Sequence, residues 1–506
     1  MRTRYSFYNI LVNLISGVLL PVLGFVKVRL FISLYGDEVN GLYLVFSQVL
    51  QYLNICELSF SLAFRQLLFK PLAEDDKEEV NRLYSGVSFI YHIVGIAVLI
   101  MGVVLSFIIP LFNDMDMSLM EMSGLFLLMA LPFGISYFLL PPTLLIIADQ
   151  KEYKISMWIQ SIALIRMVLM IVVILMKMPY FWIFVIEGLN VLLSNIISNR
   201  ISLKTYPWLK RDKSIRTNEA FLNSARGTMV QRLSNIAINN SDSIILNIAS
   251  KNLSAVSIYG AYSYLIEAAT KIINSVITSP INSFGNLFSS DAEDAYSVFE
   301  EFYEFASCLA TILAVCIFAL LDEFVLIWVN QSSYILPISA AIIFSVNVFY
   351  LTQREAVILI RDANGLFVEA KKNAYLLTVV KIVCSFVFVY LFGIVGVLAG
   401  TFVAYFLVDF TYNPRLVYEK VFHLKSSLYY RKFALRFIIM ALLAVLTYVL
   451  YQNFIDYANQ SLVHFLITVI ALGVGVSLTV TAVYYLLFPS FRRLIQRGIR
   501  LLKRNH

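Results

Sequence analysis

Runs of twenty or more mostly apolar residues succeed one another along the chain, divided by short polar stretches. A helix needs about 20 residues to cross a hydrocarbon core roughly 30 Å thick. The pattern therefore predicts an all-α membrane protein of about 14 transmembrane helices. They fall at about 8–34, 41–69, 83–112, 121–148, 155–177, 180–203, 227–249, 254–286, 302–329, 335–360, 373–393, 395–418, 433–454 and 461–488. The longest connection, at about 204–226, reads KTYPWLKRDKSIRTNEAFLNSAR and is basic.

Spans seven and eight are too polar for plain lipid anchors. At 100° per residue, Arg232, Asn235, Asn239, Asp242 and Ser243 share an arc of about 100° on span seven. On span eight Ser263, Glu267, Thr270, Lys271, Asn274 and Thr278 share a face, and Glu267 and Lys271 stand four apart, suited to an ion pair. A charge at the bilayer centre costs about 2.5–3.5 kcal/mol on insertion scales. Both stripes are expected to line a water-filled cavity.

Composition agrees: 60% of the 506 residues are hydrophobic and 14% charged, with mean hydropathy +0.79, which excludes a soluble globular domain. Charge then orients the chain. With the N-terminus in the cytoplasm, twenty-nine of the 39 Lys and Arg residues fall on the cytoplasmic side and only Lys177 and Lys251 outside. The net charge of +7 is thus a topology signal, with no nucleic-acid signature. The first apolar run lacks a small-residue cleavage site and reads as an uncleaved span. Cys56, Cys308, Cys316 and Cys384 lie inside spans without metal spacing, and His92 is intramembrane.

The chain repeats itself. A shift of 216 lays YLVFSQVLQYL (43–53) on YGAYSYLIEAA (259–269), and the acidic loop AEDDKEEV on SSDAEDAY. Arg166 and Lys381 differ by 215. The expected organisation is a six-helix bundle at 1–204, a basic linker at 205–226, a second six-helix bundle at 227–424, and two further spans with a tail at 425–506. An even number of spans per half relates the halves by an axis along the membrane normal. The tail SFRRLIQRGIRLLKRNH is basic and amphipathic; it reads either as a surface helix or as a positive-inside stop signal.

Eight cations fall within spans: Lys27, Arg29, Arg65, Arg166, Arg232, Lys271, Arg354 and Lys381. Glu57, Glu187, Asp242, Glu267, Glu355 and Asp409 are the acids there. The excess of cations suits an anionic headgroup, and Arg holds phosphate bidentately. Arg232 and Lys271 are the cations on polar faces, with Asn235, Asn239 and Asn274 beside them; Arg29, Arg166, Arg354 and Lys381 complete the candidate substrate-binding set. The competing reading pairs Arg232 with Asp242 and Lys271 with Glu267 to fold the hairpin. Asp242 and Glu267 are also the candidates for ion coupling. Pro132, Pro141 and Pro142 mark a kinked span. No phosphate loop, HExxH or nucleophile elbow occurs, so no enzyme, cofactor or metal is expected.

The opening NILVNLISGVLLPVLGFVKVRLFISLYGDEVNGLYLVFSQVLQYL, the segment DQKEYKISMWIQS after span four, the two six-span halves and the polar seventh span together resemble the Wzx-type polysaccharide biosynthesis flippases of the MOP superfamily. That superfamily also contains MATE drug exporters and lipid II flippases. The resemblance implies a V-shaped pair of bundles around a cationic cavity, working by alternating access. The implied substrate is an undecaprenyl-diphosphate-linked oligosaccharide repeat unit for capsule, O-antigen or teichoic-type polymer. It also implies a monomer in the cytoplasmic membrane of a bacterium, in contact with membrane lipids, a polysaccharide polymerase and glycosyltransferases. A MATE-like multidrug exporter is the alternative transporter, though it would want an acid-dominated cavity. A membrane polymerase or ligase would want a larger outer loop. A non-transporting scaffold leaves the polar stripes unexplained.

Overall fold

The computed structural model describes residues 2–212, 215, 233–234, 236–280, 292–454 and 462–504. All regular structure among them is helical, which is the expected fold class. Among the described residues ten helices are long and apolar enough to cross a membrane, and they coincide with expected spans 3–6 and 9–14. Expected span 1 is the single helix Arg2–Tyr35, span 2 is divided at Asn54, and most of span 7 lies outside the described residues.

The chain forms two compact units, Met1–Ile258 and Tyr259–His506. The first holds α1 (Arg2–Tyr35), α2 (Asp37–Leu53), α3 (Ile55–Ala73), α4 (Lys77–Ile108), α5 (Leu119–Ser136), α6 (Pro141–Ala148), α7 (Tyr153–Leu175), α8 (Phe181–Thr205) and α9 (Asp242–Ser250). Helix α10 (Leu253–Thr278) begins in it and continues into the second. The second holds α11 (Ala292–Val329), α12 (Ile338–Ala363), α13 (Phe367–Phe392), α14 (Ile394–Ala404), α15 (Phe410–Lys420), α16 (Ser427–Phe454), α17 (Leu462–Leu487) and α18 (Pro489–Arg504).

Local chemistry sets the boundaries. Asp76 caps α4 by accepting from the Glu79 N–H at 3.0 Å, and Ser118 caps α5 by accepting from the Glu121 N–H at 3.2 Å. Both caps satisfy N–H groups that the helix itself leaves open. The kink expected from the prolines is a full break: α5 stops at Ser136, and Pro141 starts α6, where a missing N–H costs nothing. Within the first unit α1 packs on α7, α5 on α4 and α8, and α3 on α4 and α6. Gly188 of α8 passes so close to the α5 backbone that a Cβ would overlap the Leu128 carbonyl.

Eight residues of the expected linker, 205–212, and residue 215 are described. The stretch 206–212 is stitched to the first unit. Lys210 N–H donates to Asn81 Oδ1 at 2.7 Å and Asp212 N–H to Ser85 Oγ at 2.9 Å. Tyr206 OH donates to Asp149 at 2.5 Å; burial, with that carboxylate beside it, pushes the Tyr206 hydroxyl well above its ordinary range. In the second unit α11 is the central helix, packed by α12, α16, α17 and α18.

Candidate functional site

In the first unit, four helices bring an ionic cluster together. Arg166 of α7 places Nη1 2.7 Å from both oxygens of Glu187 on α8. Tyr43 of α2 donates to Glu187 Oε2 at 2.8 Å. The buried Lys27 of α1 lies with Nζ 4.0 Å from the Tyr43 ring centroid and 5.2 Å from that of Phe31. Aromatic faces attract the ammonium through their quadrupole. Two cations against one carboxylate leave this cluster with one positive charge in excess. A cavity of about 120 Å³, lined by Ser47, Gln51 and Asn54 among others, opens onto Glu187.

In the second unit Asp409 is the hub. Arg354 of α12 grips it from Nε at 2.7 Å and Nη2 at 3.1 Å. Tyr350 OH donates to it at 2.6 Å and Asn413 Nδ2 at 2.7 Å. Arg354 Nη1 also reaches Glu355 at 3.2 Å. A carboxylate 1% exposed is tolerated because its lone pairs are met by charged and neutral donors. Asp409 ends a π-helical turn, Tyr405–Asp409, between α14 and α15, a distortion that re-aims side chains.

The same unit carries an apolar groove of about 530 Å³ between α16 and α17, with Val315 of α11 at its floor. Leu446, Leu450, Ile467, Ala471 and Gly475 line it, and Thr447, Thr468 and Thr479 are among its few polar residues.

The other expected site residues are placed differently. Arg232 and Asn235 lie outside the described residues. The arc drawn for span seven assumed one continuous helix, but the chain leaves helical geometry at Asn240–Ser241 and restarts as α9. Asp242 therefore stands in the first turn of α9, buried beside Tyr52 of α2, while Asn239 is exposed. On α10 Glu267 and Lys271 are exposed, as are the apolar Ile272 and Val276, and Asn274 is half-buried, whereas Tyr259 and Tyr262 are buried. No ion pair joins Glu267 to Lys271 among the described residues. Lys381 is buried and Arg29 half-buried. Cys308, Cys316 and Cys384 are free thiols.

Arg436–Glu304 and Arg166–Glu187 are among the ionic contacts that escaped the sequence reading. Arg436, counted there among the cytoplasmic cations, is buried against Glu304. Arg166 and Glu187 were noted separately, yet a signal existed: they stand at similar distances on either side of the short turn at 176–180, which levels them in an antiparallel hairpin.

No protein-family model matches the sequence, and no curated protein matches it. Solved structures do. The structure "Lipid II flippase MurJ, inward closed conformation" aligns over 94% of this chain and 99% of its own, with a TM-score of 0.71 at 14% identity. An inward-facing multidrug resistance MATE family transporter of the MOP superfamily aligns over 79% of this chain and 96% of its own, with a TM-score of 0.59 at 13% identity. At such identities the likeness is one of fold: this chain is a multi-pass membrane protein with the fold of the MurJ and MATE transporters of the MOP superfamily.

Proposed function

We propose that the chain is a flippase that moves a polyprenyl-diphosphate-linked oligosaccharide across the cytoplasmic membrane of a bacterium, by alternating access, for surface polysaccharide synthesis. The observation that carries this reading is the apolar groove between α16 and α17, set in a fold that also holds an ionic cluster within each of its units. A lipid-linked saccharide has a diphosphate and sugars that need polar surroundings and a long tail that needs apolar ones. The groove suits part of that tail.

In this reading Arg232 and Lys271 hold the diphosphate, with Asn235, Asn239 and Asn274 on phosphate or the first sugars. Arg29 and Lys381 add positive field. Arg166, engaged by Glu187 through Nη1, and Arg354, engaged by Asp409 through Nε and Nη2, contribute positive field. Asp242 or Glu267 would couple transport to an ion gradient. Both termini lie in the cytoplasm, the protein works as a monomer, and a polymerase and glycosyltransferases act beside it.

The test is transport of a fluorescent lipid-linked saccharide in proteoliposomes. The wild type should expose it to an external quencher. Gly475→Phe, at a position where a Cβ meets open space, should stay folded and lose transport as the ring fills the groove. Arg232→Ala/Lys271→Ala should do the same through the headgroup. Movement of a cationic drug without movement of the lipid-linked saccharide would overturn the reading in favour of a drug exporter.

A further inference from the structure

Along α4, Asn81, Ser85, Ser88 and His92 follow one another at intervals of four, three and four residues, so they share one face. That face meets the start of the basic connection. Residues 206–212 run against it as a strap, with the Lys210 N–H on Asn81 and the Asp212 N–H on Ser85. Further along the same row, Arg211 Nη1 lies 3.0 Å from His92 Nε2. Trp208, half-buried, packs against the core of the first unit, with its ring 5.9 Å from that of Tyr206.

The His92 contact has one chemical form. A guanidinium keeps its charge and has no acceptor, so Arg211 donates and His92 Nε2 accepts. The ring proton then sits on Nδ1, which donates to the Ser88 carbonyl at 2.7 Å. Both ring nitrogens are used and the ring is neutral. An imidazolium would have no lone pair left for Arg211, and would set a second positive charge beside it.

The neighbouring elements bring few charges to this pair. The Phe138 ring, after α5, crosses the imidazole with centroids 5.1 Å apart. Tyr84 of α4 is close enough to Arg211 to feel its charge. Lys210 and Asp212 flank Arg211 in the strap, and all three are exposed. From α3, the Glu57 carbonyl accepts from Tyr91, the residue beside His92. After α6, Asp149 is engaged by Tyr206 and Lys151. Among the described residues neither His92 nor Arg211 forms an ion pair with a carboxylate.

We propose that His92 is a proton-operated catch for the strap 206–212: the neutral ring holds Arg211, and a ring that gains a proton lets it go. Docking of the strap and protonation of the ring compete, so docking weakens as pH falls through the range in which histidine changes charge. Tyr206 on Asp149 keeps the strap tethered at its near end while the end at 208–212 opens. The catch works whatever the protein carries.

The experiment follows amide exchange of the full chain in nanodiscs at pH 8 and pH 5.5, with each rate corrected for the intrinsic effect of pH. The hydrogen-bonded amides of Lys210 and Asp212 report the docked strap directly. Loss of a hydrogen bond from a charged donor should lower their protection by roughly tenfold or more at pH 5.5. His92→Gln, whose amide oxygen accepts from Arg211 and takes up no proton, should keep the protection at both pH values. His92→Lys, which fixes a positive charge there, should lose it already at pH 8. Equal protection of the wild type at the two pH values, a His92→Gln variant that loses protection in parallel with the wild type, or a loss that extends equally through α4 would each overturn the proposal.

Discussion

Glu304 of α11 accepts two hydrogen bonds from the guanidinium of Arg436 on α16, at 3.0 Å and 2.5 Å, with the two side chains 4% and 2% exposed. The Tyr303 ring lies 4.7 Å from that guanidinium and the Phe488 ring 5.5 Å. This pair ties the C-terminal helices to the central helix of their unit. Removing one partner strands a charge in an apolar interior. Arg436→Ala should therefore cost about 3–5 kcal/mol, while Glu304→Leu/Arg436→Met should recover most of it. Thermal unfolding in detergent, followed by tryptophan fluorescence, measures both. A single alanine variant as stable as the wild type would reject the account.

The Arg166–Glu187 pair is more exposed, with side chains 19% and 16% accessible, and Tyr43 still donates to the acid when the arginine is gone. Arg166→Ala should cost about 1–3 kcal/mol. Arg166→Ala/Glu187→Gln should return to near wild-type stability, because no uncompensated carboxylate remains. If transport returns with the folded protein, the cluster is architectural; if transport stays lost, the positive field of the cluster acts on substrate.

Two helix glycines should respond in opposite directions to the same change. A Cβ at Gly188 would overlap the Leu128 carbonyl and stand 2.9 Å from the Pro132 ring, whereas one at Gly124 meets open space. Gly188→Ala should destabilise by about 1–3 kcal/mol through forced separation of α5 and α8. Gly124→Ala should stabilise by about 0.5–1 kcal/mol through the unfolded chain. Melting temperatures of the two variants, measured side by side, decide it.

The charge asymmetry along the chain gives a topology to check. In a variant without the four native cysteines, Asp116→Cys should react with an impermeant thiol reagent from outside intact cells. Ser214→Cys should react only after the cells are opened. The reverse pattern would invert the orientation.

The hydrophobic pattern was enough for the helices themselves, because a bilayer demands about twenty apolar residues per crossing whatever surrounds them. Helix α10 was also readable as one element, continuous from Leu253 to Thr278. The stripe of span seven was not. A periodic argument carries phase through every residue, and the break at Asn240–Ser241 discards that phase. Arg354 and Asp409 were visible as charges but not as partners, for they stand 55 positions apart and the chain folds through two intervening helices before they meet. Arg436 misled for a different reason: charge counting assigns a cation near a span end to water, and the buried Glu304 that receives it lies 132 positions earlier.

The π-helical turn at Tyr405–Asp409 gives the α14–α15 rod a stored rotation. A π-turn accommodates one residue more than an α-helix of the same rise, and one residue is about 100° of phase. Everything after Val408 is therefore turned by about a quarter circle relative to the face that Val397 and Leu398 present. That offset is what lets Asp409 and Asn413 point at Tyr350 and Arg354 while the preceding helix keeps its apolar side inward. Length and phase are coupled here. Deleting one residue from 405–408 would close the turn to ordinary α-geometry with rise and phase beyond it kept, whereas adding one would turn the Asp409 carboxylate off its four donors, so this stretch should tolerate the loss of a residue better than a gain.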